Sequence, residues 1–286
     1  MIQSPYSDAA TTAASYYDST DADHFYADIW GGEDIHIGLY AEPDEAIAAA
    51  SRRTVDTLID LIGLDVLSDG QAERLVVDLG SGYGGAARRL CQRPNLRVEA
   101  INISAVENER HRLLNREAGA NQKITVHNAS FESVPLADRC ADVIWSQDAI
   151  LHSGDRQTVM QEASRLLKPG GVMVMTDPMA ADGVPSESLS AILKRIHLQD
   201  LGSPERYRTW ADAAGLERTH WDEQTPMLIR HYSRVREELK QRREHLTRRI
   251  SADYLDRMDA GLGHWVEGGE TGQLCWGLTR FRKRLN

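Results

Sequence analysis

The fold is decided by Leu75-Val76-Val77-Asp78-Leu79-Gly80-Ser81-Gly82-Tyr83-Gly84-Gly85. A short apolar run, rich in β-branched residues, meets four glycines within six positions. Such a run bounded by glycine predicts a buried strand that ends in a tight turn. Helix-forming residues follow directly at 86–91. The stretch therefore predicts the strand, glycine turn and helix that bind nucleotides in doubly wound α/β proteins.

Two glycine spacings overlap in this turn. Gly80, Gly82 and Gly85 have the spacing of a dinucleotide site, whereas Gly80, Gly82 and Gly84 have a shorter repeat. Asp78 lies inside the strand, two residues before the first glycine. Its carboxylate suits a cationic ligand such as the amino-acid part of S-adenosylmethionine and would repel a pyrophosphate. Unless Asp78 only caps the turn, the expected cofactor is S-adenosyl-L-methionine.

Strands and helices alternate around this unit. The predicted strands cover 75–79, 97–102, 123–127, 141–146 and 172–176, with helices at 105–118 and 158–167. This alternation predicts a mostly parallel central sheet with helices on both faces. The expected fold class is therefore α/β, Rossmann-like.

The remaining segments complete a single catalytic domain of four expected parts. They are an N-terminal helical cap (1–72), a cofactor-binding core (73–179), a lid or insertion (180–206), and a C-terminal part of core and cap (207–286). Three local predictions concern an aromatic loop at 25–40, a charged helix at 233–248, and an edge strand at 273–281.

Composition excludes several classes of protein. The formal net charge of −10 and the lack of a basic stripe argue against nucleic acid as a partner. The three cysteines are widely spaced and form neither a disulfide framework nor a zinc motif, so no metal is expected. No apolar run is long enough to span a membrane, and the first residues lack the features of a signal peptide. We expect a cytoplasmic protein that acts on a small molecule.

Ligands of open α/β sheets bind past the carboxyl ends of the strands. The second strand ends at Asn102, an amide where an acid usually meets the ribose, and Ser130 and Phe131 follow the third strand, where adenine is expected. The complete set of expected cofactor-binding residues is Tyr26, Asp78, Gly80, Gly82, Gly84, Asn102, Ile103, Ser130, Phe131 and Gln147.

A possible acid–base pair follows the fourth strand. Asp148 and His152 are four residues apart, so a helical turn would point both side chains the same way. Together they could bind an amine and relay its proton. The alternative is a histidine that only makes a supporting hydrogen bond. His36 is a second candidate of the same kind.

Several motifs resemble those of class I S-adenosylmethionine-dependent methyltransferases. They lie at 76–85, 146–152, 166–171 and 176–179. Segments 30–40, 145–153 and 264–269 look more narrowly like the sarcosine/dimethylglycine N-methyltransferases of glycine betaine synthesis. The resemblance runs from about residue 16 to 283 and implies the class I methyltransferase fold and methyl transfer to sarcosine and dimethylglycine.

The resemblance also implies roles for individual residues. Related phosphoethanolamine methyltransferases pair an N-terminal tyrosine with a histidine, and the matching catalytic residues here are Tyr17 (or Tyr16) and His152. The expected substrate-binding residues are Tyr16, Trp30, His36, Asp148, Pro178 and Met179. Trp221 and Trp265 are further candidates for an aromatic cage around the amine, and Arg230 and His231 for contact with the carboxylate.

Four other functions stay open at this point. The core also suits an O- or C-methyltransferase of a larger natural product, a phosphoethanolamine-type N-methyltransferase, or a regulator that binds S-adenosylmethionine without catalysis. A nicotinamide oxidoreductase is disfavoured by Asp78 and by the non-acidic Asn102. The expected partner is a methylamine amino acid, without nucleic acid or membrane, and a homo-oligomer is left open.

Overall fold

A computed structural model describes residues 11–12, 18–67 and 72–285 of the chain. Its strands are β1 (Arg74–Leu79), β2 (Leu96–Asn102), β3 (Ile124–Asn128), β4 (Ala141–Gln147), β5 (Leu167–Thr176), β6 (Met179–Ala180), β7 (Leu216–Glu223), β8 (Leu274–Cys275) and β9 (Gly277–Lys283). Seven of them form the central sheet in the order β3-β2-β1-β4-β5-β9-β7. The first five are parallel, and β9 runs antiparallel to both of its neighbours. The predicted Rossmann-like α/β fold is confirmed.

The helices lie between and beyond these strands. They are α1 (Thr20–Ile29), α2 (Ile47–Ile62), α3 (Leu64–Leu67), α4 (Gly85–Leu90), α5 (Ala105–Glu117), α6 (Arg156–Leu166), α7 (Ser190–Ile196), α8 (Pro204–Ala213), α9 (Thr225–Gln241), α10 (Arg243–Leu246) and α11 (Ala252–Glu270). Short 3₁₀ turns occur at Ile150–His152 and Ser186–Leu189. Among the described residues, no helix is both long and apolar enough to cross a membrane.

The sheet is apolar on both faces because successive strand residues point to opposite sides. Val76 of β1 is paired with Val143 of β4, and both pack into one core with α2, α4 and part of α9. The next pair, Val77 and Ile144, packs into a second core with α6 and α8. Each strand therefore anchors two helical layers, which explains the apolar runs in the sequence.

A third apolar cluster, separate from the two cores of the sheet, packs together helices from both ends of the chain. It joins Phe25 of α1 to Val235 and Leu239 of α9 and to Leu255 and Met258 of α11. α1 and α11 each begin at a serine whose hydroxyl oxygen accepts a backbone N–H from the first turn, which satisfies one otherwise unpaired donor.

Three local predictions need correction. The aromatic segment is only partly a loop, because Phe25 and Tyr26 lie on α1, which the capping Ser19 begins. The charged helix starts eight residues earlier than predicted, at Thr225. The C-terminal strand is not an edge strand, because β9 lies between β5 and β7 and β7 forms the edge.

The largest element that the sequence did not predict is α11. Its four glycines, at positions 261, 263, 268 and 269, lower its helix propensity. Packing overrides this local preference, since Leu255, Met258 and Leu262 bury one face of α11 in the third apolar cluster. Their i, i+3, i+7 spacing is the sequence signal that could have revealed this helix.

Candidate active site

The glycine turn brings three parts of the chain into close contact. Gly80 has φ = +83°, and a Cβ there would lie 2.3 Å from the Cβ of Ala149 in the segment after β4. Gly84 has φ = +77°, and a Cβ there would lie 1.9 Å from Nε2 of His111 on α5. Only glycine fits these backbone conformations and distances. Gly84, predicted to bind the cofactor, therefore serves the packing of α5 against the turn.

A cavity of about 640 Å³ opens at the carboxyl ends of the parallel strands. Its described lining residues are Ile35, Gly80, Gly82, Asn102, Ile103, Glu107, Ser130, Phe131, Gln147, Asp148, Ala149 and His152. The structure thus brings seven of the ten expected cofactor-binding residues together here. Tyr26, also expected there, lies in a different cavity, next to Trp30.

A buried amide and carboxylate face this first cavity together. Nδ2 of Asn102 donates a hydrogen bond to Oε2 of Glu107 at 2.9 Å, and burial raises the pKa of Glu107 to about 7. Glu107 was not predicted, although the sequence Ser104-x-x-Glu107 is a capping box that marks the start of α5. An acidic side chain therefore lies beside the end of β2 after all, but it comes from the first turn of α5.

Asp78 lies beside the glycine turn in an adjoining cavity of about 330 Å³. Its side chain is 2% exposed, and Oδ2 has no hydrogen-bond partner among the described residues. Burial raises the pKa of Asp78 to about 7, although the nearby His36 acts in the opposite direction. A buried carboxylate without a partner fits a ligand that brings its own ammonium group.

A third cavity, of about 610 Å³, is lined mainly by aromatic and apolar residues. Its described lining residues are Tyr26, Trp30, Ile35, His36, Ile37, Asp148, Leu151, His152, Pro178, Arg195, Ile196, His231, Tyr232, Met258, Leu262 and Trp265. Ile35, Asp148 and His152 also line the first cavity, so the two cavities meet at these side chains.

The aromatic rings of this third cavity form a connected group. The ring centroids of Tyr26 and Trp30 are 5.0 Å apart, those of Trp30 and His231 are 5.4 Å apart, and those of Tyr232 and Trp265 are 5.6 Å apart. Aromatic faces attract cations, and methylated ammonium groups in particular, because the ring quadrupole is negative above and below the plane.

Asp148 accepts hydrogen bonds from an N-terminal and a C-terminal segment of the chain, at the point where the first and third cavities meet. Its Oδ2 accepts the backbone N–H of Ile37 at 2.7 Å, and its Oδ1 accepts Nε1–H of Trp276 at 2.8 Å. Burial raises the pKa of Asp148 against these hydrogen bonds. Its carboxylate thus positions the loop after α1 and the residue before β9.

The predicted helical turn from Asp148 to His152 is wrong. Asp148 has φ = +48°, outside the right-handed helical region, and only Ile150–His152 form a 3₁₀ turn. The two side chains nevertheless line the same two cavities. The prediction that the side chains of Asp148 and His152 face the same site is therefore correct, but the backbone at Asp148 is in the left-handed conformation and not in a helical turn.

His152 is held neutral and in place. Burial, with the charges of Arg156 and Arg195, lowers its pKa to about 4. Asp177 holds the 3₁₀ turn by accepting the N–H of Leu151 at 3.1 Å and the hydroxyl of Tyr207 at 2.5 Å. A neutral imidazole presents a lone pair that can accept a hydrogen bond from an amine.

His36 and His231, which also line the third cavity, have pKa values shifted in opposite directions. Burial alone would lower the pKa of His36, but Asp34, 3.4 Å away, and Asp148 raise it. Burial lowers the pKa of His231 to about 3, and its Nδ1 accepts the N–H of Gly38 at 3.1 Å. A neutral His231 is a poor partner for a carboxylate, and Arg230 is not among the described residues that line this cavity.

The other predicted residues divide into three groups. Pro178, Trp30 and Trp265 line the third cavity. Met179 and Trp221 instead pack in the core that contains α6 and α8, Met179 fully buried within β6. Tyr16 and Tyr17 lie outside the described residues. Arg195 was missed because no local pattern places α7 beside the cavity.

Known proteins resemble this chain along nearly its whole length. Residues 77–175 match a family profile described as "Methyltransferase domain". The chain is 63% identical to a dimethylglycine N-methyltransferase of Parasynechococcus marenigrum over 96% of each chain. It is 48% identical to a sarcosine/dimethylglycine N-methyltransferase of Aphanothece halophytica, over 96% of this chain and 97% of the other.

A solved structure agrees with these sequence matches. It is a crystal structure from Galdieria sulphuraria, provisionally named as a sarcosine dimethylglycine methyltransferase. The TM-score is 0.88 at 43% identity, covering 95% of this chain and all of the other.

Proposed function

Because the chain belongs to the family of sarcosine and dimethylglycine N-methyltransferases, we propose that it methylates the amines of sarcosine and dimethylglycine with S-adenosylmethionine and so forms glycine betaine. The observation that carries this proposal is the meeting of two cavities at Asp148 and His152. One cavity follows the glycine turn, and the other is lined by aromatic rings. Glycine betaine is an osmolyte, so we propose osmoprotection as its use.

The chain's own residues fit S-adenosylmethionine. Asp78 would bind the ammonium of its amino-acid part, because its buried carboxylate lacks a partner. Asn102 and Glu107 would bind the ribose hydroxyls, and Ser130 and Phe131 would contact the adenine. When bound, S-adenosylmethionine supplies a methyl group activated by a positively charged sulfur.

The third cavity, called the aromatic cavity from here on, fits the amine substrate. Tyr26, Trp30, Tyr232 and Trp265 present ring faces, which stabilise an amine that becomes cationic when methylated. A quaternary amine has no N–H to donate, so aromatic faces suit it better than hydrogen-bond acceptors do. The cavity therefore favours the charge that develops on the nitrogen.

His152 would orient the attacking amine. Since its imidazole is neutral near pH 7, it can accept an N–H hydrogen bond from sarcosine or from the substrate ammonium, whose proton passes on to water before the nitrogen attacks. Dimethylglycine has an N–H only while its amine is protonated, and the nitrogen must lose this proton before it can attack the methyl group. Asp148 would keep the reactants in line indirectly, by tying the loop at Ile37 and the side chain of Trp276 to the meeting point.

The test is to incubate the purified protein with S-adenosylmethionine and, separately, with glycine, sarcosine, dimethylglycine and phosphoethanolamine. Mass spectrometry then identifies methylated products. We expect dimethylglycine from sarcosine and betaine from dimethylglycine. Binding of S-adenosylhomocysteine without product from any of the four amines would reject this function and favour a larger natural-product substrate.

A further inference from the structure

A zwitterionic amino acid brings a carboxylate as well as an amine into the aromatic cavity. Burying that carboxylate without a positive partner would be costly. Among the described residues that line this cavity, Arg195 is the one lysine or arginine. Asp148 is itself a carboxylate and His231 is neutral, so neither can replace Arg195 in this task. His36 also lines this cavity, but its imidazole already lies 3.4 Å from the carboxylate of Asp34.

Arg195 lies where the aromatic cavity meets an outer cavity of about 1640 Å³. The outer cavity is also lined by Lys194 and Arg257, with Asp21 as its one acidic side chain among the described residues. This excess of positive charge attracts a carboxylate from solvent toward Arg195. The half-buried Arg195 therefore lines both the outer cavity and the cavity that contains His152.

The backbone of α11 makes room for the arginine. A Cβ on Gly261 would lie 2.2 Å from Cδ of Arg195 and 2.3 Å from its Nε. One turn earlier on α11, Sδ of Met258 accepts a hydrogen bond from Nη2 of Arg195 at 3.0 Å. The side chain of Arg195 is thus laid across Gly261 and held by Met258 in one orientation.

Arg195 and His152 line the same cavity and interact electrostatically. The charge of Arg195 contributes to lowering the pKa of His152, so the guanidinium is within electrostatic reach of the imidazole. In sarcosine and dimethylglycine a single methylene separates the amine from the carboxylate. An amine placed at His152 therefore keeps its carboxylate nearby, inside the cavity that Arg195 also lines.

We propose that Arg195 binds the substrate carboxylate and that Gly261 is the positioning residue that allows it to do so. This inference rests on the proposed methylation of sarcosine and dimethylglycine. The planar guanidinium can hold a carboxylate through two parallel hydrogen bonds, which fixes the orientation of the amine as well as its affinity. The site thereby selects amino acids over amines that lack a carboxylate.

The experiment compares Arg195→Gln and Gly261→Ala with the wild-type protein. For both variants we expect the KM for dimethylglycine to rise about 10- to 100-fold, the range for hydrogen bonds between charged groups. The kcat/KM for N,N-dimethylethanolamine, which lacks the carboxylate, should change little. Binding of S-adenosylhomocysteine and the melting temperature report on folding.

Gly263→Ala is the matched control on the same helix. A Cβ there would lie no closer than 3.4 Å to Arg236, so it shares the backbone change but leaves Arg195 in place, and its KM should stay at the wild-type value. In the double variant, Gly261→Ala should add little to Arg195→Gln, because both changes remove the same contact.

The outcomes separate the two proposals. If wild-type protein makes betaine and folded Arg195→Gln keeps the wild-type KM for dimethylglycine, the carboxylate assignment is overturned and the function stands. An equal loss with dimethylethanolamine would also overturn it. If the wild-type protein makes no betaine, the proposed function fails and the assignment falls with it.

Discussion

Asp78→Asn tests whether the buried carboxylate awaits a cationic ligand. In the ligand-free protein, burial moves the pKa of Asp78 from 3.8 to about 7. Since one pH unit corresponds to about 1.4 kcal/mol, the ionised form is disfavoured by about 4 kcal/mol. Asparagine has nearly the same shape and cannot ionise, so the variant removes this cost.

The sign of the effect depends on pH. A raised pKa means that the folded protein keeps a proton that the unfolded chain releases between about pH 4 and pH 7. The contribution of Asp78 to the free energy of unfolding therefore falls as the pH rises through this range. Asp78→Asn should be more stable than wild type above pH 7, by up to about 4 kcal/mol, and the difference should vanish below pH 4.

Urea unfolding at a series of pH values measures this difference, and calorimetry measures binding of S-adenosylhomocysteine. Losing the contact between carboxylate and ammonium should weaken binding by about 10- to 100-fold. Asp142→Asn is a control of opposite sign, because Lys168, Arg74 and the N–H of Leu75 outweigh burial and lower the pKa of Asp142. That variant should lose stability above pH 4.

Two results would refute this reasoning. If Asp78→Asn binds S-adenosylhomocysteine as tightly as wild type, Asp78 does not contact the ammonium. If its stability relative to wild type does not change between pH 4 and 8, the carboxylate is not an unpaired charge in the folded protein.

Three further substitutions test other parts of the site. His152→Ala should lower kcat by about 100-fold or more while S-adenosylhomocysteine still binds, and unchanged turnover would reject its role. Gly80→Ala should abolish binding of S-adenosylhomocysteine, because the new Cβ would clash with Ala149. Gly119→Ala is the control: Gly119 has φ = +67° and no heavy atom within 4 Å, so this variant should only lower the melting temperature. Equal binding of S-adenosylhomocysteine by both variants would contradict this. Trp265→Leu should raise the KM for dimethylglycine by about 2- to 30-fold, and an unchanged KM would remove it from the cage.

Sequence reasoning located the first cavity because its residues follow from local rules. Gly80, Asn102, Ser130 and Gln147 lie at or just after strand ends, and parallel strands bring their carboxyl ends to one edge. A strand and its turn are recognisable from a few neighbouring residues. The same rule placed Asp148 and His152 together although the expected backbone conformation was wrong.

The substrate side was predicted only in part, because long-range packing assembles the rest of it. Arg195 and Gly261 are 66 positions apart and meet only because α7 packs against α11. Ile37 reaches Asp148 across 111 positions. No periodicity within either segment encodes such a meeting. Glu107 is an intermediate case, since its capping box was visible but its contact with Asn102 was not.

The position of β9 in the sheet affects how the chain folds while it is being synthesised. β9 leaves the ribosome after the six other strands of the central sheet, yet it lies between β5 and β7. Until it is made, the nascent chain exposes the unpaired backbone of two strands, which invites pairing with other chains. Trp276, which completes the contacts of Asp148, immediately precedes β9. A ribosome that stalls shortly before this strand would therefore release a chain that is both inactive and prone to aggregate.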